Sequence, residues 1–213
     1  MIGMVVRTVR SVLEASAAVI GIRSGTEEPA HTVERVENGV EIRAYGPRVA
    51  AETTVEGADE AARSEGFRRL AGYIFGGNDR DIKIAMTAPV GQHPGGVRGE
   101  QIAMTAPVAQ QRDDNGEWVI QFFMPADKTL ATLPTPENSA VRLVDVPAAA
   151  IAVRRFSGRA SHEVVASQTD ALLKSLEGTD FRPSGIPAAW FYDPPWTVPF
   201  LRRNEIAVTV TRG

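Results

Sequence analysis

The sequence predicts an α+β protein in which mostly antiparallel strands curl against two long helices. The main observation is an order of strand, strand and helix that occurs twice along the chain, with further runs of alternating apolar residues between and after the helices. Composition agrees with this fold class. A chain of 213 residues, with 43% hydrophobic and 23% charged residues, is typical of a folded protein with a sizeable core.

The first strand, strand and helix unit opens with a predicted β-hairpin. Two runs of strand-forming residues flank Asn38-Gly39, the dipeptide best suited to the positive φ angles of a two-residue turn. Another alternating strand and an amphipathic helix follow, and Gly76 ends the helix. A strand is predicted at 33–36, and the unit itself consists of the strands at 40–45 and 49–55 and the helix at 57–74.

The second unit has the same order with different residues. Its helix is predicted to end at Gly178, and alternation in two other segments adds strands outside the units. The predicted elements are strands at 141–146 and 150–156, a helix at 161–176, and the additional strands at 117–124 and 205–211.

A seven-residue sequence, IAMTAPV, occurs at 84–90 and again at 102–108. Each copy is predicted to be a short strand that ends at Ala-Pro, because proline has no N–H for the ladder. The turn-forming residues between the copies predict a hairpin. Its two arms would place Met86 and Met104 on similar faces near one cavity or one core, where filling a core gap is the simpler role for methionine.

Residues 1–27 are predicted to be an amphipathic helix, at 5–20, followed by a linker. Glu14 interrupts its apolar run, and the stretch is too short and too polar to span a bilayer. We expect the helix to pack on its own domain rather than on a membrane or a partner. With no export signal and no spanning segment, we expect a cytoplasmic protein.

Several classes of chemistry are excluded by residue content. The chain has no cysteine, which rules out disulfides and thiolate metal sites. A net charge of -3 gives no long-range attraction for nucleic acid. The three histidines, His31, His93 and His162, have no second ligand at metal-binding spacing. Ser157 lacks the flanking glycines of a nucleophile elbow. We therefore predict no catalytic residue, no metal site and no enzymatic activity.

The segment WFYDPPWTVPFLRRNE, at 190–205, combines aromatic rings with three prolines. The prolines predict that it is neither a helix nor a central strand. Two interpretations remain open. The rings form a flat apolar wall for a planar ligand, or the segment caps the sheet and buries its own rings.

Six stretches, in this order along residues 28–210, resemble the SOUL haem-binding protein family: VEIRAYGPRVAAET, the doubled IAMTAPV, FFMP, LPTP, FSG and YDPPWTVPFLRRNEI. The resemblance implies one domain at 28–213, a distorted antiparallel β-barrel of two similar halves flanked by the two long helices. It also implies reversible binding of haem or another tetrapyrrole, with no catalysis common to the family.

The resemblance implies a binding site as well. In one branch of the family an axial histidine lies in the motif EIRHYGP, and this chain has Ala44 at that position. In the other branch the porphyrin lies in a cleft between the first long helix and the Tyr-Asp-Pro-Pro loop. The positions that correspond to this cleft are Arg63, Phe67, Leu70, Ala71, Trp196 and Thr197.

This chain departs from the second branch at the position that follows the Pro-Pro pair. That branch has a lysine after the Pro-Pro pair, where this chain has Thr197 following Trp196. Arg63, Arg202 or Arg203 would then meet a propionate, since a guanidinium forks onto a carboxylate. We expect haem to be held by apolar contact, because the histidines are not expected to face the cleft. The exception is His162, at the start of the second helix.

Other functions fit the same fold. The chain is alternatively a non-haem effector-binding or protein-interaction module, because a fold does not determine a function. A third hypothesis is an enzyme that acts on a tetrapyrrole.

Overall fold

The computed structural model describes residues 27–95, 116–193 and 197–213. These residues form one antiparallel sheet of ten strands, two α-helices and one short 3₁₀ turn. The strands are β1 His31–Glu37, β2 Val40–Tyr45, β3 Arg48–Glu56, β4 Val90–Pro94, β5 Glu117–Phe123, β6 Val141–Val146, β7 Ala149–Phe156, β8 Phe181–Pro183, β9 Ala188–Phe191 and β10 Asn204–Arg212. The helices are α1 Asp59–Ile74 and α2 His162–Leu176, and the 3₁₀ turn is Pro199–Leu201.

Neighbouring strands follow the order β1-β2-β7-β10-β9-β4-β5-β3-β6, with β8 paired to β10. Among the described residues β1 and β6 end this path, so the sheet is a curled half-barrel rather than a closed barrel. The α+β class is confirmed. The order β2-β7-β10-β9 on one side of the β9–β4 contact mirrors β6-β3-β5-β4 on the other. A superposition of the two halves stays a prediction.

The elements with local sequence signals lie where the sequence predicts them. Asn38 and Gly39 have φ angles of 52° and 74° and join β1 to β2. Gly76 follows α1 with a φ of 123°, and Gly178 follows α2 with a φ of 74°. The Ser161 hydroxyl accepts a hydrogen bond from the Val164 N–H and caps α2. Turn and cap chemistry therefore fixes the ends of these elements.

Three strands are absent from the prediction: β4, β8 and β9. The prediction that the segment at 190–205 contains no central strand is wrong at both ends. Asn204 and Glu205 begin β10, which lies between β7 and β9. Trp190 and Phe191 lie in β9, which is hydrogen-bonded to β10 on one side and to β4 on the other. The first proline of the segment is Pro194, which lies beyond the end of β9. The argument from proline therefore does not apply to these two residues.

The first IAMTAPV copy is not a strand before Val90. Its backbone bonds to distant segments instead: the Ile84 N–H donates to the Ile74 carbonyl over 2.8 Å, and the Ala88 N–H donates to the Glu27 carbonyl over 2.9 Å. Met86 is 38% exposed, so the predicted core position is wrong for this methionine. The second copy with Met104, and the predicted N-terminal helix at 5–20, lie outside the described residues.

The core is divided between two faces of the sheet. The face that carries both helices, here called the helix face, holds one apolar cluster under α1, which includes Leu70 and Ile120, and another under α2, which includes Leu172 and Ile206. The opposite face holds a third cluster that contains buried rings. No described helix is long and apolar enough to cross a lipid bilayer.

Candidate functional site

The N-terminal turns of the two helices meet on the helix face. Asp59 and His162 are the first residues of α1 and α2, and His162 Nδ1 lies 3.4 Å from Asp59 Oδ2. Arg63, one turn into α1, donates from Nη2 to the Ala160 carbonyl over 3.4 Å. The start of α1 and the segment that leads into α2 are therefore in contact, and we call the surface where they meet the inter-helix crevice.

The floor of the inter-helix crevice is a row of side chains in register across the sheet. Val90 of β4 pairs with Phe122 of β5 on one side and with Phe191 of β9 on the other. Phe67 of α1 reaches this row, since its ring centroid lies 5.3 Å from that of Phe122 with the rings at 64°. Side chains that are paired across neighbouring strands share one face, so the floor is apolar and partly aromatic.

Arg63 lies across this floor. Its guanidinium carbon is 4.1 Å from the centroid of the Phe191 ring. Its Nε donates to Gln92 Oε1 over 2.8 Å, and its Nη2 donates to Asp59 Oδ1 over 2.9 Å. Gln92 also donates to the same Asp59 oxygen, over 2.9 Å. The cation is thus paired with a carboxylate, bonded to an amide and stacked on a ring.

Exposed apolar side chains flank the inter-helix crevice. Phe67 is 39% exposed on α1, and Phe200 of the 3₁₀ turn is 73% exposed. The turn is held against the segment before α2, because the Gly158 N–H donates to the Pro199 carbonyl over 3.0 Å. Asn204 adds a bond from its side-chain amide to the Gly158 carbonyl over 3.1 Å. The crevice therefore has apolar surface on α1 and on the 3₁₀ turn.

The structure brings together only part of the predicted site. Arg63 and Phe67 lie at the inter-helix crevice, and Ala71 follows Phe67 by one turn and is partly buried. Leu70 is fully buried in the cluster under α1, and Thr197 is 1% exposed. These two side chains present almost no surface to a ligand, because the core takes the face of α1 that Leu70 occupies. Trp196 lies outside the described residues, and the site assignment as a whole stays a prediction.

Ala44, which the resemblance places at the axial position of one family branch, lies away from this crevice. It lies two residues from Ile42, on the same face of β2, and pairs with Ala150. Ile42 belongs to the cluster under α2, and Ala150 packs against that cluster. His162 is the histidine at the crevice, with 55% of its side chain exposed. No cluster of three histidine or acidic side chains suited to a metal ion occurs in the described part of the chain.

Of the three arginines proposed for a propionate, Arg203 is engaged on the opposite face. It donates to both oxygens of Glu28 over 3.0 and 3.1 Å, and to Glu205 Oε1 over 3.0 Å. Arg202 donates from Nε to the Thr197 carbonyl over 2.8 Å. Arg63 is the arginine that the structure places on the crevice floor. Its partner Asp59 lies four residues before it on α1, a spacing that is visible in the sequence. Gln92 carries no such signal, because only the packing of α1 against β4 brings it to Arg63.

Glu205 is the centre of a buried charge network on the opposite face. Arg43 donates to both of its oxygens over 2.8 and 3.0 Å, and the Tyr192 hydroxyl donates to Oε2 over 2.6 Å. Burial alone would raise the pKa of Glu205, but the hydrogen bonds from Arg43 and Tyr192 outweigh it and hold the pKa below its ordinary value. The network joins β2 to β10 and to the end of β9.

Comparison with known proteins identifies the family. The model described as SOUL heme-binding protein matches residues 26–209. This chain belongs to the SOUL heme-binding protein family. The chain is 28% identical to mouse heme-binding protein 2 over 204 residues, which cover 88% of this chain and 90% of that protein. It is 26% identical to bovine heme-binding protein 1 over 161 residues, or 76% of each chain.

Solved structures show the same fold at low identity. The EcmrR C-terminal domain matches with a TM-score of 0.57 at 9% identity, over 82% of this chain and 98% of that one. A hydrolase from Listeria innocua matches with a TM-score of 0.52 at 10% identity, over 84% of this chain and 94% of that one. At such identities the likeness concerns the fold alone.

Proposed function

We propose that this SOUL-family protein binds haem or a related tetrapyrrole reversibly in the inter-helix crevice, as a carrier or buffer without catalysis. Family membership supports a tetrapyrrole ligand in general. The observation that supports the crevice is the row of apolar side chains that Phe67 overhangs, at the point where both helices begin. The cytoplasmic location and the absence of enzymatic activity stay predictions.

The residues of the crevice fit the two kinds of surface that a porphyrin has. Its flat apolar faces match the floor of Val90 and Phe191 and the exposed ring of Phe67. Burial of such surface contributes about 25 cal/mol per Å², before the cost of association. Rigid aromatic side chains lose little conformational entropy when they form these contacts.

The porphyrin carboxylates match Arg63. Its guanidinium is held over the Phe191 ring, so the cation is already positioned for a carboxylate. A propionate would compete with Asp59 for the Nη2 donor, and the exchange of one carboxylate for another keeps the cation paired. Arg63 therefore orients the ligand, and the apolar floor supplies most of the affinity.

The iron is expected to contribute little to affinity. The family's axial position is Ala44, which lies on the part of the sheet under α2. His162 borders the crevice and interacts with Asp59. Among the crevice residues named above, it is the one whose side chain is suited to ligate the haem iron. In the proposed mode the porphyrin is held by its faces and carboxylates, and His162 stays with Asp59.

Titration of the purified full chain with hemin and with metal-free protoporphyrin tests the proposal. We expect a shifted Soret band that saturates at one ligand per chain. The two ligands should have dissociation constants within about threefold of each other, since a factor of ten would correspond to 1.4 kcal/mol from the iron. Absence of saturable binding for both ligands would contradict the proposal and favour a non-haem effector-binding or protein-interaction module.

A further inference from the structure

Arg48, the first residue of β3, differs from the other cations of the opposite face. Its Nε and Nη1 atoms are buried, and neither has a hydrogen-bond partner among residues 27–95, 116–193 and 197–213. Arg43 and Arg203, by contrast, are both paired with Glu205. Arg48 is therefore a partly buried cation with two buried nitrogen atoms and no carboxylate partner.

Aromatic rings take the place of a carboxylate around Arg48. The guanidinium carbon lies 4.4 Å from the centroid of Tyr45 and 4.8 Å from that of Phe123. Trp190 meets both rings edge to face, with centroid separations of 5.8 and 6.1 Å. With Tyr192 and His31, these rings line a narrow, partly open pocket. The pocket is too narrow for a water molecule, so a ligand has to part its walls.

This arrangement is costly for the protein without a ligand. Burial lowers the pKa of Arg48, because desolvation disfavours the charged form. A cation over aromatic rings gains some stabilisation. A buried charged donor that lacks a hydrogen bond loses more than this, so the rings compensate only in part. Buried polar groups in native proteins are nearly always satisfied, so the missing partner points to a ligand.

We propose that the Arg48 pocket binds a carboxylate carried on a planar apolar body, as in an aromatic acid. The guanidinium donates charge-assisted hydrogen bonds to the carboxylate, and the rings of Tyr45, Phe123 and Trp190 contact the body of the ligand. Glu28 also lines the pocket, but Arg203 holds both of its oxygens over 3.0 and 3.1 Å. Its charge is thus already paired.

This site is separate from the tetrapyrrole crevice and does not depend on the proposed function. Val49, the residue after Arg48, packs in the cluster under α1, so alternation along β3 turns Arg48 to the opposite face. Phe123 likewise faces the pocket, whereas its neighbour Phe122 forms the crevice floor. A tetrapyrrole in the crevice therefore cannot place its carboxylate on Arg48.

Benzoate and its neutral analogue benzyl alcohol, added to the full chain, test the proposal by calorimetry and thermal unfolding. We expect benzoate to bind and to raise Tm with concentration, and benzyl alcohol to do neither. Arg48→Met should fold with an unliganded Tm equal to or above that of the wild type, because it removes a partly buried charge that has no carboxylate partner. Its benzoate affinity should fall at least about tenfold. No benzoate binding by the wild type, or unchanged binding by Arg48→Met, would overturn the proposal.

Matched variants separate this pocket from other effects. Arg68→Met removes an arginine whose side chain is 73% exposed on α1, and it should keep the wild-type benzoate affinity. Arg48→Met should keep the wild-type hemin titration, so failure of one site is distinguishable from failure of the other. If Arg48→Met does not fold, Arg48→Lys keeps the charge but loses the planar guanidinium, and it should bind benzoate at least about threefold more weakly. Wild-type affinity in the lysine variant would contradict the proposal.

Discussion

Arg63 and Arg48 lie on opposite faces of one sheet, and both have a guanidinium over an aromatic ring, at 4.1 Å from Phe191 and 4.4 Å from Tyr45. Their hydrogen bonds differ. Arg63 has a carboxylate, an amide and a carbonyl as acceptors. Arg48 has two buried nitrogen atoms with no acceptor in the described part of the chain. The protein thus supplies hydrogen-bond acceptors to the guanidinium of Arg63, but not to the two buried nitrogen atoms of Arg48.

This difference predicts which contacts would provide the affinity for a ligand at Arg63 and at Arg48. At Arg63 a ligand has to exchange with Asp59, so the gain from the new ion pair is small and apolar contact has to provide the affinity. At Arg48 a ligand would supply an acceptor that is missing, so its carboxylate would contribute most of the affinity. The crevice should therefore select for shape, and the pocket should select for charge.

Removal of the Glu205 carboxylate should have the largest effect, because it would leave Arg43 with only the partly exposed Glu41 and Arg203 with only Glu28 as carboxylate partners. Glu205 is fully buried, and breaking a buried ion pair from one side costs about 3–5 kcal/mol. We expect Glu205→Gln to lower the free energy of urea unfolding by about that amount. The control is Glu41→Gln, since Glu41 also pairs with Arg43 but its side chain is 42% exposed. A change below about 1 kcal/mol in Glu205→Gln would contradict this account of the network.

The same carboxylate should make stability depend on acid. Because the folded pKa of Glu205 is depressed, its contribution is present above the unfolded value of about 4.3 and is lost as pH falls through the folded pKa. Urea midpoints measured between pH 7 and pH 3 should fall more steeply below about pH 4 in the wild type than in Glu205→Gln. Parallel curves for the two proteins would show that Glu205 does not carry this dependence.

Arg63→Gln should have a smaller effect that depends on the ligand carboxylates. One charge-assisted hydrogen bond exchanged for another leaves about 1 kcal/mol, so protoporphyrin should bind roughly threefold to tenfold more weakly. Protoporphyrin dimethyl ester has no carboxylate and should bind the variant and the wild type equally. Arg68→Gln, on the exposed side of the same helix, should change neither affinity. An equal loss for the acid and the ester would mean that Arg63 acts through packing alone.

The parts of the fold that the sequence predicts are those governed by neighbouring residues. Asn38-Gly39 and Gly76 determine a turn and a helix end by their own backbone preferences. The first IAMTAPV copy has the composition of a strand, but its N–H groups bond to Glu27 and Ile74 rather than to a neighbouring strand. Such long-range partners cannot be derived from the local pattern.

The candidate site shows the same division. The resemblance to the SOUL family identifies Arg63 and Phe67, which the structure places at the crevice. It does not distinguish them from Leu70, which the packing of α1 buries completely. Arg48 has no sequence signal, because its missing acceptor is visible only when β3 is placed among its neighbours.

Soret titration of Phe67→Glu beside a variant with His31, His93 and His162 all replaced by alanine tests the central claim most directly. Phe67→Glu puts a charge over the crevice floor and should weaken hemin binding at least about tenfold. The control Phe75→Glu changes the same residue type just after α1, where the ring is 57% exposed, and should leave binding unchanged. The triple histidine variant should stay within about twofold of the wild type. If the histidine variant loses the Soret shift while Phe67→Glu keeps it, the iron is ligated by histidine and binding by apolar contact in the crevice is contradicted.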